Sequence, residues 1–141
     1  MAGRGFEIVT AYEGCGIHLP VRKTAKSAGY DLEAAETTVL APHAVTVVPT
    51  GLKAFMEDDE YLSIFIRSSL AFKKGLMLAN STGIVDSDYY NNEDNEGHIL
   101  IALVNMGTEP VSLDKGERVA QGIFSKYLIT NDDNATGIRT G

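Results

Sequence analysis

The sequence predicts a single all-β domain with one short helix, folded as a distorted jelly-roll barrel or sandwich. Short segments rich in β-branched and aromatic residues follow one another along the chain, and several alternate with a period of two. Gly, Pro, Asp and Asn separate these segments, as they do at turns between strands. The 141 residues suit one domain with one hydrophobic core.

The predicted strands cover much of the chain before residue 130. They are Phe6–Thr10, Tyr30–Ala34, Val45–Pro49, Leu52–Met56, Tyr61–Ile66, Leu76–Ala79, His98–Asn105, Val111–Leu113, Val119–Phe124 and Tyr127–Ile129. One helix is predicted, capped by Ser68 or Ser69 and ended by Gly75. Because the last residues are polar, we place the folded domain at residues 1–130 and a mobile C-terminal arm at residues 131–141.

The formal net charge of −7 bears on the partners that the chain can have. An acidic chain is repelled by DNA, RNA and anionic lipid, so we expect no nucleic-acid or membrane partner. No apolar run approaches the ~20 residues of a membrane-spanning helix and no secretory signal is visible, which predicts a cytoplasmic protein. A phosphorylated ligand would need a local cluster of cations, for which the candidates are Arg67, Lys73, Lys74, Arg118 and Arg139.

Several common functional sites do not fit the sequence. Cys15 is the only cysteine, so it has no partner for a disulfide or a thiolate metal cluster. The histidines lack metal-ligand spacing, and no Gly-x-x-x-x-Gly-Lys-Ser/Thr phosphate loop occurs. The segment Asp86–Asp88 begins like a calcium loop, but Tyr90 and Asn91 stand where that loop needs Asp or Asn and then Gly.

Two segments carry polar residues where a plain β-domain would place strand formers. Arg67-Ser68-Ser69 follows an apolar strand and offers a guanidinium and two hydroxyls to a phosphate. Such a tripeptide is more often a serine that caps a helix, next to an arginine exposed to solvent. Asp86 ends the apolar pair Ile84-Val85, where a rigid carboxylate could orient a water as general base. Gly83 could take a positive φ and admit a ligand close to the backbone. A β-hairpin with a polar tip is the simpler explanation of this second segment.

The order of four segments along the chain is more specific than any one of them. These segments are Ala28–Ala34, Arg67–Leu76, Gly83–Tyr89 and Gly116–Gln121. They resemble, in order, the first four of the five motifs of the dUTPase family, and Val48–Leu52 is also similar to that family. The resemblance covers essentially the whole chain and points to the homotrimeric all-β branch. It implies active sites formed between subunits and hydrolysis of dUTP to dUMP and pyrophosphate.

The resemblance assigns the nucleoside to residues 80–89. Asp86 would activate the water that attacks the α-phosphorus. Tyr89 would stack beneath the deoxyribose and leave no room for a 2′-hydroxyl. Asn80 and the backbone around Gly83 would contact the edge of the uracil, in a turn too tight for a purine.

The resemblance assigns the phosphates and the metal to other segments. The residues that would bind the phosphates are Arg67, Ser68, Ser69, Gln121 and Arg139. Asp31 would bind waters around a Mg²⁺ ion that the triphosphate chelates. A triphosphate repels an anionic nucleophile, so cations must neutralise it before water can attack.

The chain departs from the family's pattern at two places. The segment Tyr90–Glu96 is longer than the usual link before Gly97-His98-Ile99, as it is in forms from Gram-positive bacteria and their phages. Phage relatives bind repressor proteins, so a repressor is a candidate partner. The fifth motif is missing, although Arg139 resembles its arginine. We therefore expect this 141-residue form to bind dUTP and turn it over slowly, because the closing arm excludes water and fixes the γ-phosphate.

Three other functions compete with dUTP hydrolysis. A dCTP deaminase shares the fold and an Arg-Ser-Ser element, but the Asp-Ser-Asp-Tyr segment at Asp86–Tyr89 fits a dUTPase better. A regulatory binding module would use the insertion Asn91–Glu96 and surfaces near the active site to bind its partner. A purely structural trimer explains the strands and leaves the polar motifs unexplained.

Overall fold

The computed structural model describes residues 3–141, and within them it confirms an all-β architecture with one short helix. The strands are β1 (Gly5–Ile8), β2 (Tyr30–Glu33), β3 (Thr38–Leu40), β4 (Val45–Pro49), β5 (Leu52–Phe55), β6 (Glu60–Ile66), β7 (Leu76–Leu78), β8 (Gly83–Asp86), β9 (Leu100–Asn105), β10 (Val111–Leu113) and β11 (Arg118–Lys126). The helix α1 spans Ser68–Lys74, and short 3₁₀ turns lie at Thr10–Tyr12 and Ser87–Tyr89.

Two larger antiparallel sheets enclose the core. One has the strand order β2-β11-β6-β8 and the other the order β4-β9-β7, while β1-β5 and β3-β10 form two-stranded pairs. The core draws on both larger sheets, with Leu62 and Ile64 of β6 and Ile101 and Leu103 of β9 almost completely buried. Alternation in β9 turns Ile101, Leu103 and Asn105 inward, as the period of two in its sequence predicts.

Helix α1 ends where the sequence predicts, but the residue before its first turn is not the predicted one. Gly75 ends the helix in the left-handed conformation, at φ 65°, and its N–H donates to the carbonyl of Leu70. The prediction that Ser68 or Ser69 caps the helix is wrong, because the extended residue before the first turn is Arg67 and no side-chain capping bond forms. Both serines therefore lie inside the first turn of the helix.

The predicted strands differ from the structure at three places. Strand β8 is not among them, although the apolar pair Ile84-Val85 within it was noted. Tyr127–Ile129 is not a strand in the structure, and Leu128 is almost fully exposed. Strand β3 was not predicted, since its three residues are too few to show a clear alternation. Of these three segments, only β8 belongs to one of the two larger sheets. In residues 3–141, no helix is long and apolar enough to cross a membrane.

The side chain of Asn105 is completely buried, with 0% exposure, and joins three parts of the fold by hydrogen bonds. Its side-chain amide donates to the carbonyls of Leu40 (3.1 Å) and Glu109 (2.8 Å), and its Oδ1 accepts from the N–H of Gly107 (2.9 Å). The side chain thus joins the end of β9 to β3 and to the turn that follows. A buried backbone group without a partner is costly, so the buried carbonyl of Leu40 depends most on this amide.

We expect Asn105→Ala to lower the free energy of unfolding by about 2 kcal/mol, because it leaves the buried carbonyl of Leu40 without its partner and removes two partly buried hydrogen bonds. Urea denaturation at matched protein concentration measures the change. The control is Asn134→Ala, since Asn134 is exposed in the C-terminal segment. Equal stability of the two variants would contradict a structural role for Asn105.

Candidate active site

A cavity of about 250 Å³ opens where the two larger sheets diverge. Its lining residues are Ile64, Leu78, Asn80, Gly83, Ile84, Val85, Asp86, Tyr89, Ile99, Leu100, Ile101, Ala102 and Arg139. The structure therefore brings together Asn80, Gly83 and Tyr89, which were assigned to the nucleoside from sequence, and Asp86, which was assigned to catalysis. The apolar floor with a few polar groups at its rim has the composition of a small-molecule site.

The cavity exists because β7 and β8 do not pair with each other. β7 is hydrogen-bonded to β9 in one sheet and β8 to β6 in the other, so residues 79–82 cross from sheet to sheet. The hairpin interpretation of this segment is therefore wrong. The expectation of a positive φ at Gly83 is also wrong, because Gly83 lies in β8 opposite Ile64. A Cβ at Gly83 would lie 3.1 Å from the Cβ of Ile64, so the glycine is needed for close approach of the strands.

Strand β8 leaves one edge open toward the cavity. It stands at the end of its sheet and is hydrogen-bonded only to β6. The outer edge of such a strand presents backbone N–H and C=O groups at fixed positions. Rigid donors and acceptors of this kind can distinguish a ligand by its hydrogen-bonding pattern.

Asp86 and Tyr89 flank the mouth of the cavity. Asp86 is the last residue of β8 and precedes the 3₁₀ turn that carries Tyr89, so the strand end and the turn fix their relative positions. The carboxylate of Asp86 is about half exposed. The ring of Tyr89 packs against the core, and its hydroxyl donates to the carbonyl of His98 at 2.9 Å.

Arg139 reaches the cavity from the C-terminal segment. Its Nη2 donates to Oδ2 of Asp86 (2.6 Å), and its Nε donates to Oδ1 of Asp88 (2.7 Å). The hydrogen bond that Arg139 donates to Asp88 is the largest cause that raises the pKa of Arg139 above its ordinary value. The carbonyl of the next residue, Thr140, accepts from the N–H of Asp94 at 3.1 Å. Arg139 therefore faces carboxylates here, although sequence assigned it to phosphates.

A second polar site lies near the start of α1. A cleft of about 430 Å³ is lined by Arg67, Ser69, Leu70, Lys73, Lys74, Gly116, Glu117 and Arg118. Four of the five cations expected to form a local cluster meet here, and Arg139 is the exception. Lys74 is paired with Glu117 at 2.8 Å. A cleft with this excess of cations suits an anion such as a phosphate chain.

Asp31 lies beside this basic cleft. Its carboxylate is 3.7 Å from Nε of Arg67 and 3.4 Å from Nη1 of Arg118. Gln121 stands directly opposite Asp31 where β11 pairs with β2. A Cβ at Gly29 would displace the flexible amide end of Gln121, so Gly29 affects where that side chain lies, although sequence analysis treated it only as part of a motif. No three His, Cys, Asp or Glu side chains among residues 3–141 come together as a metal cage.

The two polar sites stand at opposite ends of β6. Asp86 pairs with Tyr61 near the start of that strand, whereas Arg67 follows its last residue. Six residues of extended chain separate these two ends, which corresponds to about 20 Å. One subunit therefore carries both sites and keeps them apart.

Comparison with known proteins identifies the family of this chain. The dUTPase family model matches residues 16–139. The chain belongs to the dUTPase family. It is 52% identical, over 130 residues, to the deoxyuridine 5′-triphosphate nucleotidohydrolase of Lactococcus lactis, an alignment that covers 92% of this chain and 87% of that protein.

Solved structures agree with this assignment. The dUTPase of Streptococcus mutans is 50% identical and superimposes with a TM-score of 0.86, covering 90% of this chain and 98% of that one. The dUTPase of phage phi11 of Staphylococcus aureus, whose structure describes the coordination of a structural Mg(II) ion, shares the fold. It is 18% identical and superimposes with a TM-score of 0.75, covering 95% of this chain and 97% of that one. Membership of the dUTPase family confirms the predicted fold and the predicted activity, hydrolysis of dUTP.

His98 borders the candidate site, because its carbonyl accepts the hydrogen bond of the Tyr89 hydroxyl. Its Nε2 accepts a hydrogen bond from the N–H of Gly51 at 2.9 Å, which requires the neutral ring, and its ring lies 5.2 Å from that of Tyr12. Burial lowers the pKa of His98 below its ordinary value of 6.5.

We expect the stability contributed by neutral His98 to be present above about pH 6.5 and to fall as the pH drops toward its lowered pKa in the folded state. The unfolded chain binds a proton in that window and the folded chain does not, so acid favours unfolding. In His98→Gln, an amide oxygen that does not titrate replaces Nε2. The loss of melting temperature between pH 7 and pH 5 should be smaller in this variant, and an equal loss would refute the prediction.

Proposed function

We propose that this chain hydrolyses dUTP to dUMP and pyrophosphate at sites formed between the subunits of a homotrimer, with Asp86 as the general base. The observation that carries this proposal is the arrangement of Asn80, Gly83, Asp86 and Tyr89 around one cavity. Asn80 and Gly83 lie where the base would bind, and Asp86 and Tyr89 lie at the end of β8 and in the following turn, where the α-phosphate and the sugar would lie.

The open edge of β8 suits recognition of uracil. Backbone groups near Gly83 and the side chain of Asn80 offer donors and acceptors to the Watson–Crick edge of the base. Cytosine carries an amino group where uracil has a carbonyl oxygen, so the wrong base would leave a fixed group unpaired. This argument also favours dUTP hydrolysis over dCTP deamination.

Asp86 is placed to act on the α-phosphate. A carboxylate at a strand end is held rigidly and can accept a proton from a water in line with the phosphorus. Arg139 donates to Oδ2 of Asp86, so this guanidinium must turn away before that oxygen can accept the proton. A triphosphate gives Arg139 a competing anionic partner, which agrees with its predicted role as a phosphate ligand.

The basic cleft would hold the phosphates. Arg67 and the hydroxyls of Ser68 and Ser69 supply donors at one end of α1, and Gln121 lies nearby on β11. Two guanidinium groups lie beside the carboxylate of Asp31. This carboxylate is therefore suited to contact a metal ion through bound water rather than as a direct ligand. The dUTPase family uses Mg²⁺, which when bound neutralises phosphate charge and polarises the α-phosphorus.

The geometry of β6 and β8 favours assembly of each site from different subunits. From Gly83 to Asp86, β8 runs away from Arg67, because β8 is antiparallel to β6. A nucleotide with its base near Gly83 and its sugar near Tyr89 directs its phosphates away from the basic cleft of the same chain. The cleft of another copy must therefore meet them.

The outer face of the β4-β9-β7 sheet offers a surface for such a copy. Its outward residues are Val45, Val47, Pro49, Met77, Leu100, Ala102 and Val104. All of them are apolar, and contiguous apolar faces of this kind usually mark protein interfaces. Leu100 and Ala102 also line the nucleoside cavity, so a subunit on this face would lie next to the site.

The repressor-binding and cytoplasmic assignments stay predictions. In the segment after Tyr89, the Asn92 side chain is buried and Asn95 donates a hydrogen bond to the Tyr89 hydroxyl, which leaves Glu93 and Asp94 as exposed acidic side chains for a partner.

The mobile character of residues 131–141 is likewise a proposal. We favour catalysis as the role of the chain, because Asn80, Gly83, Asp86 and Tyr89 line one cavity.

We expect Asp86→Asn to lower kcat on dUTP by about 10³-fold, since it removes the proton acceptor and keeps the shape of the side chain. Calorimetry with a non-hydrolysable dUTP analogue should show binding within a few-fold of the unmodified protein. Asp88→Asn is the matched control, because Asp88 contacts the same arginine and has no proposed role in proton transfer. Equal losses in the two variants would refute the general-base role.

We expect mixed trimers of Asp86→Asn and Arg67→Ala chains to recover activity that neither variant has alone. Random assembly should restore about a quarter of the sites if Asp86 and Arg67 come from different subunits. The control mixture combines Asp86→Asn with Tyr89→Ala, two changes on the same side of the site, and should recover nothing. Absence of recovery in the first mixture would contradict sites shared between subunits.

A further inference from the structure

The segment Asn91–Glu96 is a closed, hydrogen-bonded loop that touches the proposed sugar-binding residue. The N–H of Asn91 donates to the carbonyl of Glu96 (2.9 Å), and the N–H of Glu96 donates to the carbonyl of Asn92 (3.0 Å). The segment begins two residues after Tyr89 and returns to the chain just before His98, whose carbonyl accepts from the Tyr89 hydroxyl. The hydrogen bonds within this segment therefore influence where Tyr89 lies.

Asn95 makes the decisive contact. Its Nδ2 donates to the hydroxyl oxygen of Tyr89 at 2.7 Å, while that hydroxyl donates to the carbonyl of His98 at 2.9 Å. The phenol thus accepts one bond and donates another, which fixes the far end of the ring. The 3₁₀ turn of Ser87–Tyr89 fixes the near end.

The amide of Asn95 is itself held in one orientation. Its Oδ1 accepts from Nδ2 of Asn92 (2.8 Å) and from the N–H of Gly97 (3.1 Å), which leaves Nδ2 for the tyrosine. The Nδ2 of Asn92 also donates to the backbone carbonyl of Tyr89 at 2.7 Å, and Asn92 is only 7% exposed. Every bond in this network thus leads to Tyr89 or to the residue that holds it.

The loop is anchored to the rest of the domain at its last residue. Glu96 accepts from Nζ of Lys53 (2.7 Å) and from the N–H of Thr10 (3.1 Å), and the bond from Lys53 is the main cause that lowers the pKa of Glu96. Lys53 is 8% exposed and also donates to Oδ1 of Asn91 at 2.6 Å. The position of Asn95 is therefore tied to β5 and to the 3₁₀ turn at Thr10.

We propose that Asn95, oriented by Asn92, is a positioning residue for Tyr89 and thereby a determinant of the selection of deoxyribose over ribose. The inference rests on the proposed function, in which Tyr89 packs beneath the sugar. Ribose differs from deoxyribose by one hydroxyl, so a ring that can shift by a fraction of an ångström would admit the extra oxygen. A supporting residue that removes this freedom is what such a site requires.

The experiment measures kcat/KM for dUTP and for UTP in Asn95→Ala and Asn95→Asp. The aspartate keeps the acceptor that binds Asn92 and Gly97 and replaces the donor to Tyr89 with a charged acceptor, which the phenol can bond only by giving up the carbonyl of His98. It therefore also serves if the alanine variant folds poorly. We expect the dUTP/UTP ratio to fall about tenfold in both, because a misplaced ring discriminates less. Glu93→Gln, an exposed change in the same loop, should leave the ratio unchanged.

A double-mutant cycle with Tyr89→Phe separates positioning from general stabilisation of the loop. If Asn95 acts through the phenol, Asn95→Ala should lower the ratio no further when the hydroxyl is absent. Equal losses in both backgrounds, or an unchanged ratio in both Asn95 variants, would overturn the proposal. Tyr89→Ala distinguishes the two failures, because an unchanged ratio in that variant refutes the sugar-binding role of Tyr89 itself.

Discussion

The pairing of β6 with β8 on one side and with β11 on the other fixes where each part of the site can lie. Register places Asp86 opposite Tyr61 and Gly83 opposite Ile64, while Gln121 stands opposite Phe65. A slip of one residue would turn every side chain of the strand to the other face. The buried residues Leu62 and Ile64 resist such a slip, so the hydrophobic core also determines the geometry of the proposed catalytic groups.

The sequence predicted individual strands and the end of the helix better than it predicted how the strands pair. The alternating segment at β6 and the glycine after α1 each carry a local physical signal, and both appear in the structure. Nothing in the residues of β7 and β8 says that they join different sheets, because strand pairing depends on distant partners. The apolar triplet Tyr127–Ile129 looked like a strand, yet in the structure it has no strand partner.

The supporting residues of the site were the least visible in the sequence. Asn92 and Asn95 stand in a run of Asn, Asp and Glu, a composition that usually indicates a solvated loop. Their role depends on which amide atom meets which partner, and this follows only from the fold. By contrast, the cations Arg67, Lys73, Lys74 and Arg118 could be nominated early, because a chain with a net charge of −7 must gather its positive charge locally to hold phosphates.

The open edge of β8 also bears on how the folded chain avoids sticking to other strands. An unpaired edge is a template for further strands, and proteins commonly protect such edges with charge, irregularity or shortness. β8 has only four residues, ends in a carboxylate and is followed by a 3₁₀ turn, so an approaching strand finds few groups in register. The features that fit the edge to a single small base thus also keep it from extending into a larger sheet.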